Sequence, residues 1–372
     1  MQDAAVAAGQ FSAALPLGRG SPALLSGAAS ERLHARALRL ADALSRAALE
    51  QSPLNVAALR VRAEVLEAQG HGLQAAALYR FAGTRSWRDN AVQAWLLQDA
   101  LKRADFAEAF GHADALVRRR DAFQPATFLL FEVAAADPRA AAALAARLDQ
   151  RPPWREGFLA ALARSPQTDA VIAALVQRVD AGPAPLSSRE LGDVPQRLAR
   201  EGRYLDAYRT LRTYRGGRKF AVQPFDGGFD HLSGVPPFAW DWLNSAGASL
   251  DVAPSPGRPG DPALRVAYDG FSATDLLRQA VALEPGAYRL SGEIYAEAGD
   301  PGRLRWEARC IASGQRLGTG PASGAQGWAA FHLDFTVPPT GCDGVWLALT
   351  GTPGERRAPS ATWFNNLRIA PA

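Results

Sequence analysis

The spacing of apolar positions changes near residue 217. Over residues 31–214 apolar side chains recur three and four positions apart, as in Leu33, Ala37, Leu40 and Leu44, which is the spacing of amphipathic helices. After Arg215-Gly216-Gly217 apolar and polar positions alternate with a period of two, which is typical of strands. The pattern predicts a multidomain chain: a flexible N-terminal lead over 1–30, an α-helical repeat domain over 31–217 and a β-sandwich domain over 218–372.

A turn pattern recurs in the helical part. Three segments align, each with a small residue at its second position and an alanine five positions later: Gln69–Ala75, Arg103–Ala109 and Glu201–Ala207. A small side chain at both positions allows two helices to approach closely. Asn55 and Asn90, 35 residues apart, are each expected to open a helix after a turn.

These segments resemble the turn and second helix of tetratricopeptide (TPR) repeats. The resemblance implies an α-helical TPR-like solenoid that binds a peptide or protein partner in its groove. A helical spacer that only positions the second domain is the alternative.

Strands are predicted from alternation in the C-terminal part, and with the opening segment they number roughly eight or nine. They are Ser249–Ala253, 263–269, 276–283, 287–296, 304–311, 329–337, 344–350 and 362–369. Short strands at this spacing predict an antiparallel β-sandwich or jelly roll. The parity of each strand assigns Phe331, Leu333, Phe335 and Val337 to the core and turns Trp346 outward.

Five landmarks follow one another along this domain. They are Phe225–Asp230, Ala263–Val266, Leu283–Ser291, Trp328 with Phe335–Pro338, and Trp363–Ile369. Their order resembles that of jelly-roll carbohydrate-binding modules, which implies the sandwich fold and a polysaccharide or oligosaccharide ligand. Modules of this shape also serve as plain interaction domains.

The resemblance also implies a structural calcium ion, which many of these modules bind with carboxylates from their opening and closing strands. Asp226 and Asp230 keep the opening charge, whereas the closing pair is Asn365-Asn366. Calcium prefers several anionic oxygen ligands. Asp226, Asp230 and Asn366 are therefore the candidate ligands, and no other cofactor is expected.

Sugar recognition requires an aromatic face for stacking and polar groups for the hydroxyls. Strand parity places such residues on faces away from the core: Trp346, Tyr295, Arg305, Glu307, Arg309 and Glu293. The aromatic segment Pro236–Trp242 adds Trp240 and Trp242. Solvated charges, and packing of these aromatics against the helical domain, are the alternatives.

No catalytic motif stands out. The histidines are dispersed without metal-ligand spacing, and nucleotide, hydrolase and metalloprotease signatures are missing from the sequence. Carboxylates of a glycosidase need only lie close in space. Asp241, Glu293, Glu307 and Asp334 keep a glycan-active enzyme open as an alternative.

Net charge and cysteines bear on the binding partners and the cellular location. A net charge of +4 on 372 residues does not favour nucleic acid. The sequence contains no run of 18 apolar residues, so no membrane span is predicted. Cys310 and Cys342, each near a tryptophan on a predicted strand, are expected to form a disulfide. A disulfide favours a periplasmic or secreted mature chain that has lost its signal peptide; a cytoplasmic protein with a loose N-terminal tail is the alternative.

The leading hypothesis is a non-catalytic adaptor of the bacterial envelope. Its sandwich binds a glycan and its repeats bind a protein partner, as in exopolysaccharide assembly or export. A pure protein–protein scaffold without sugar binding is the first alternative, and a glycan-active enzyme is the second.

Overall fold

The structure is a computed structural model that describes residues 11, 20–230, 234–243, 246–272, 274–299, 303–321 and 327–372. The chain forms two compact units: the helical unit, Met1–Arg155, and the sandwich unit, Glu156–Ala372. The predicted boundary near residue 217 rests on a change from helices to strands. In the structure this change follows the 3₁₀ helix Arg215–Ala221. The last helices therefore share a compact unit with the strands.

The helical unit consists of consecutive helices joined by short turns. They are α1 (Pro22–His34), α2 (Leu38–Gln51), α3 (Val56–Ala68), α4 (Gly72–Arg85), α5 (Asn90–Lys102), α6 (Phe106–Arg119), α7 (Gln124–Ala134) and α8 (Pro138–Leu148). α1 begins within the predicted flexible lead, so that prediction is wrong from Pro22 onward. The Ser21 side chain accepts from the Leu24 amide and caps α1. Residues 1–10 and 12–19 of the lead lie outside the described residues.

Two helix pairs, α3–α4 and α5–α6, repeat with a period of 34 residues. Both helices of the second pair begin 34 residues after those of the first, at Asn90 against Val56 and at Phe106 against Gly72. The equivalent N-caps are Asn55 and Asp89, whose side chains accept backbone N–H groups of their helices. The predicted match of Asn55 with Asn90 is therefore wrong by one residue, because Asn90 is already helical.

The repeated turn predicted from the sequence is confirmed at its three positions. Gly70, Ala104 and Gly202 all have positive φ, at 84°, 54° and 81°. In each turn the following residue donates its N–H to a carbonyl five residues earlier, as His71 does to Leu66 at 2.8 Å. This left-handed helix end favours a small residue. The alanines that follow, Ala75, Ala109 and Ala207, are fully buried. Membership of the TPR class stays a prediction.

Four helices, the first of which starts at the boundary residue Arg155, precede the ten strands of the sandwich unit among the described residues. The helices are α9 (Arg155–Arg164), α10 (Asp169–Ala181), α11 (Asp193–Arg200) and α12 (Tyr204–Thr213). The strands are β1 (Asp241–Trp242), β2 (Ala248–Ser255), β3 (Arg258–Tyr268), β4 (Thr274–Val281), β5 (Gly286–Ala298), β6 (Leu304–Cys310), β7 (Arg316–Pro321), β8 (Ala329–Val337), β9 (Val345–Gly351) and β10 (Ser360–Pro371).

The strands form two antiparallel sheets that enclose one core, which confirms the predicted α-then-β architecture with a β-sandwich. The first sheet has the order β1-β4-β9-β6-β7 and the second has the order β2-β3-β10-β5-β8. Alternate residues of β6, β8 and β9 point inward as predicted. Trp306, Leu333 and Leu347 are among the buried core residues.

The structure differs from the strand predictions at the two-residue strand β1, which was not predicted, at β7 and at the opening segment. β7 was not predicted, because its sequence is glycine-rich. The opening segment Phe225–Asp230 was predicted as a strand, but it is a series of turns, with positive φ at Asp226 and Phe229. It still runs beside the closing strand, since the Leu367 amide donates to the Gly227 carbonyl at 2.9 Å.

Cys310 and Cys342 form a disulfide, which confirms that prediction. The bond joins the end of β6 to the turn before β9, and their Cα atoms are 5.5 Å apart. Both sulfurs are buried in the sandwich core. Within the described ranges, no helix is both long and apolar enough to cross a membrane.

Candidate functional site

The outward face of the first sheet carries Trp346 and most of the predicted polar residues. Trp346 on β9 is partly exposed and lies opposite Ala280 of β4 and Arg309 of β6. The guanidinium of Arg278 stacks on its ring at 4.5 Å from the centroid, and Asp241 on β1 accepts from Arg278 at 2.9 Å. The cross-strand register therefore fixes Trp346 on this face, which is called the first-sheet surface below.

A row of ion pairs crosses the first-sheet surface. Glu307 lies between Arg316 of β7, at 3.4 Å, and Arg309, at 3.7 Å. Arg309 in turn pairs with Asp275 of β4 at 2.5 Å. These contacts explain why Glu307, although it faces outward, is only 7% exposed. Burying an unpaired carboxylate costs desolvation free energy, and the two arginines offset this cost for Glu307.

Arg305 stands apart from this row. It lies opposite Thr350 of β9, and no carboxylate among the described residues is within salt-bridge distance of it. Its Nε atom is buried without a hydrogen-bond partner in the same part of the chain. An unpaired guanidinium on a sheet face is suited to bind an oxygen-rich ligand.

A cavity of about 260 Å³ lies between Trp346 and the helices of the same unit. Its lining residues are Gln196, Ala199, Arg200, Tyr204, Pro236, Pro237 and Trp346. Tyr204 at the start of α12 packs over Gly344, where an added Cβ would lie 2.4 Å from the Tyr204 ring if that ring did not move. Gly344 therefore lets α12 approach the sheet closely enough for Tyr204 and Trp346 to line one cavity.

The second sheet holds the other predicted strand residues, on the opposite side of the sandwich. Tyr295 contacts Trp328 with ring centroids 5.7 Å apart, and Arg258 stacks on Trp328 at 4.8 Å. Glu293 pairs with Arg258 at 2.7 Å, and this hydrogen-bonded cation lowers the pKa of the Glu293 carboxyl. Tyr295 and Glu293 therefore do not share a site with Trp346.

The two tryptophans of the aromatic segment Pro236–Trp242 have different surroundings. Trp240 is 7% exposed and packs between Phe229 and Trp306, with centroids at 5.4 and 6.1 Å. Its Nε1–H donates to the Asp226 carbonyl at 3.0 Å. The prediction of Trp240 as a sugar-stacking residue is therefore wrong, because its ring belongs to the core. Trp242 is partly buried and lines a separate cavity of about 570 Å³ with Leu250.

Two of the three predicted calcium ligands, Asp226 and Asn366, are already engaged with protein groups. Asp226 accepts the Asp230 amide at 2.8 Å, and the Asn366 side-chain amide donates to Glu293 at 2.7 Å. No group of three or more His, Cys, Asp or Glu side chains with metal-binding geometry occurs in the described ranges. With at most two carboxylates and one amide oxygen, this donor set is poor for calcium, and the ion stays a prediction.

Sequence reasoning missed the helical side of the cavity. Gln196, Arg200 and Tyr204 come from α11 and the start of α12, more than 100 residues before Trp346. Tyr204 carries a sequence signal only as part of the repeated turn. Arg278 alternates with core positions on β4, so its outward orientation could have been predicted from strand parity alone.

No protein-family model and no curated protein matches this sequence. Among solved structures, the chain is similar to a protein described as CBM4, at 15% identity over 40% of this chain and 100% of that chain, with a TM-score of 0.32. It is also similar to the CBM22-1 xylan-binding domain of Xyn10C from Paenibacillus barcinonensis, at 15% identity, 36% and 85% coverage and a TM-score of 0.26. A carbohydrate-binding module of lichenase 5A from Cellvibrio mixtus matches at 11% identity, 36% and 92% coverage and a TM-score of 0.25.

Proposed function

We propose that the sandwich is a non-catalytic module that binds a polysaccharide or oligosaccharide on its first-sheet surface. The main support for this proposal is a cavity in which Trp346 and Tyr204 supply aromatic surface beside the polar groups of Gln196 and Arg200. Aromatic rings pack on the apolar faces of sugars, and amides and guanidinium groups bind their hydroxyl oxygens. The volume, about 260 Å³, is below that of most ligand pockets, so it suits one unit of a longer chain.

The rest of the chain would lie along the same face of the sheet towards Arg305. Arg305 is four residues from Arg309, which stands opposite Trp346. At about 3.3 Å per residue this places the two sites roughly 13 Å apart along the strands. An extended ligand that reaches both would use the unpaired guanidinium of Arg305 as a second contact.

The ion pairs favour binding over catalysis. Each of the four carboxylates considered for a glycosidase is paired with an arginine: Asp241 with Arg278, Glu293 with Arg258, Glu307 with Arg316 and Asp334 with Arg289. A glycosidase acid needs a raised pKa to hold its proton. The hydrogen bonds from arginine instead lower the pKa of Glu293 and of Asp334.

We further propose that the helical unit binds a protein partner and that the whole chain is an envelope adaptor, in exopolysaccharide assembly or export. The repeated α3–α4 and α5–α6 pairs and their exposed apolar residues, such as Leu73 at 92% and Trp87 at 56%, support partner binding. The Cys310–Cys342 disulfide supports a periplasmic or secreted location. Two free thiols in natively isolated protein would contradict that location.

A polysaccharide binding screen with wild type, Trp346→Ala and Trp328→Ala tests the sugar site. Trp328 is a matched control, because it is also a partly exposed tryptophan under an arginine but lies directly before β8 of the second sheet. Trp346→Ala is expected to weaken binding about tenfold or more, since truncation of an aromatic anchor costs about 2 kcal/mol. Binding to no polysaccharide would favour the pure scaffold, and loss on Trp328→Ala alone would move the site to the second sheet.

A further inference from the structure

The helical unit contains a cavity of about 480 Å³. The turn after α4, one face of α6 and the end of α8 line it. The lining residues are Trp87, Arg88, Gly111, Asp114, Ala115, Arg118, Arg119 and Arg147. Gly111 leaves room there, because an added Cβ would lie only 3.1 Å from an Arg147 guanidinium nitrogen.

Trp87 is exposed yet held in position. Its ring stacks on His112, with centroids 5.1 Å apart and planes 24° from parallel. His112 is buried and its Nδ1 is hydrogen-bonded to the Gln93 side chain at 2.6 Å. Burial lowers the pKa of His112, which favours the neutral imidazole. One face of Trp87 is thus supported while 56% of the residue remains accessible.

The cavity has an excess of positive charge. Its one carboxylate, Asp114, accepts hydrogen bonds from Arg118 and from the Trp154 indole, each at 2.7 Å. Across the described part of the chain, Arg88 and Arg119 have no carboxylate within salt-bridge distance. The Nε atom of Arg147 is buried without a hydrogen-bond partner there.

The remaining polar groups of the lining are nearly all donors. Guanidinium groups donate and do not accept, and Asp114 is already used by Arg118 and Trp154. Sugar hydroxyls both donate and accept, so a glycan would leave its hydroxyl protons without partners. Carboxylates only accept, and they match arginine in two-pronged hydrogen bonds.

We propose that this cavity binds an acidic peptide segment of a protein partner. Glu or Asp side chains of the segment pair with Arg88 and Arg119, and an apolar side chain packs on Trp87. The proposal rests on the partner-binding role proposed for the helical unit. It adds the place on that unit and the chemistry of the partner.

Fluorescence anisotropy on the full chain tests this with a labelled peptide of alternating Glu and Leu, against the same peptide with every Glu replaced by Gln. The test variant is Arg88→Gln/Arg119→Gln. The matched control is Arg39→Gln/Arg139→Gln, which removes the same charge from exposed positions outside the cavity lining. We expect saturable binding of the Glu peptide, weakened about tenfold or more by the test variant and little by the control.

Several outcomes would overturn the proposal. These are no saturable binding of the Glu peptide, equal binding of the Gln peptide, or equal losses in test and control variants. Binding of a polyuronate that depends on Trp87 and displaces the peptide would make the cavity a glycan site. Polysaccharide binding measured in parallel separates the two ideas, because Trp346→Ala reports on the sugar site and leaves peptide binding unchanged.

Discussion

Arg278 covers one face of the Trp346 ring, with the guanidinium carbon 4.5 Å from the ring centroid. Asp241 holds the guanidinium from the neighbouring strand at 2.9 Å. The remaining accessible part of the indole faces the cavity that Tyr204 also lines. Trp346 is therefore supported on the sheet side and available on the helix side.

Arg278→Ala is expected to weaken polysaccharide binding less than Trp346→Ala does. The variant removes a cation–π contact worth about 1 kcal/mol, so the indole loses its support but keeps its surface. We expect a loss of about fivefold, measured by isothermal titration calorimetry. Tighter binding by Arg278→Ala would instead place the sugar on the ring face that the arginine covers.

Exchanging the residues of the repeated turn should shift stability in opposite directions. Gly70 and Ala104 occupy equivalent turns with φ of 84° and 54°. Ala104→Gly should stabilise the chain by about 0.5–1 kcal/mol, because glycine relieves the left-handed strain at a small entropic cost. Gly70→Ala should destabilise it by about 1 kcal/mol. Urea unfolding of both variants measures this, and shifts of the same sign would contradict the equivalence of the turns.

Gly227→Ala should disrupt the contact between the opening segment and the closing strand. A Cβ at this position would collide with the Leu367 carbonyl oxygen, which is backbone and cannot easily move. We expect a loss of about 2–3 kcal/mol in the free energy of unfolding. Gly257→Ala is the control, since its φ is +74° but no atom lies within 4 Å of the added Cβ; it should cost about 1 kcal/mol. Equal losses would show that the collision at Gly227 costs no more than the left-handed backbone strain at Gly257.

Asp193 should make stability depend on pH. Burial raises the pKa of Asp193 to about 6, and its Oδ2 has no hydrogen-bond partner among the described residues. The unfolded value is about 3.9, so the folded chain binds more protons between these values. This group's contribution to stability is therefore lost as pH rises from about 4 to about 6. Asp193→Asn should be more stabilising at pH 7 than at pH 4 in urea unfolding, and a constant difference would contradict the shift.

The sandwich was most predictable where apolar and polar residues of a strand alternate. β8 repeats buried Phe331, Leu333, Phe335 and Val337 against exposed neighbours, so both its limits and its faces follow from a period of two. β7 shows the opposite case. At Gly318 an added Cβ would collide with the Asp334 carbonyl oxygen and the Phe335 Cβ of β8, whereas at Gly320 it would only come into ordinary contact with β8. The two glycines remove the alternation of side chains that reveals a strand.

The candidate site was predictable only on its strand side. Parity turned Trp346 outward, whereas its partner Tyr204 comes from a helix far earlier in the chain. The contact depends on Gly344, and no local pattern links these positions. The prediction for Trp240 was wrong for a related reason. A tryptophan in a Pro-rich segment suggests an exposed loop, but space between Phe229 and Trp306 takes its ring into the core.

The disulfide has a mechanical consequence. β7 and β8 each lie at one edge of their sheet. Both belong to the loop closed by Cys310 and Cys342, which are 32 positions apart in the sequence. Tension on the two ends of the chain bypasses that stretch, since the force passes through the sulfur bridge. An oxidised molecule stretched in an optical trap should extend about 110 Å less than a reduced one. One edge strand of each sheet would remain within the closed loop when the rest of the sandwich has been pulled straight.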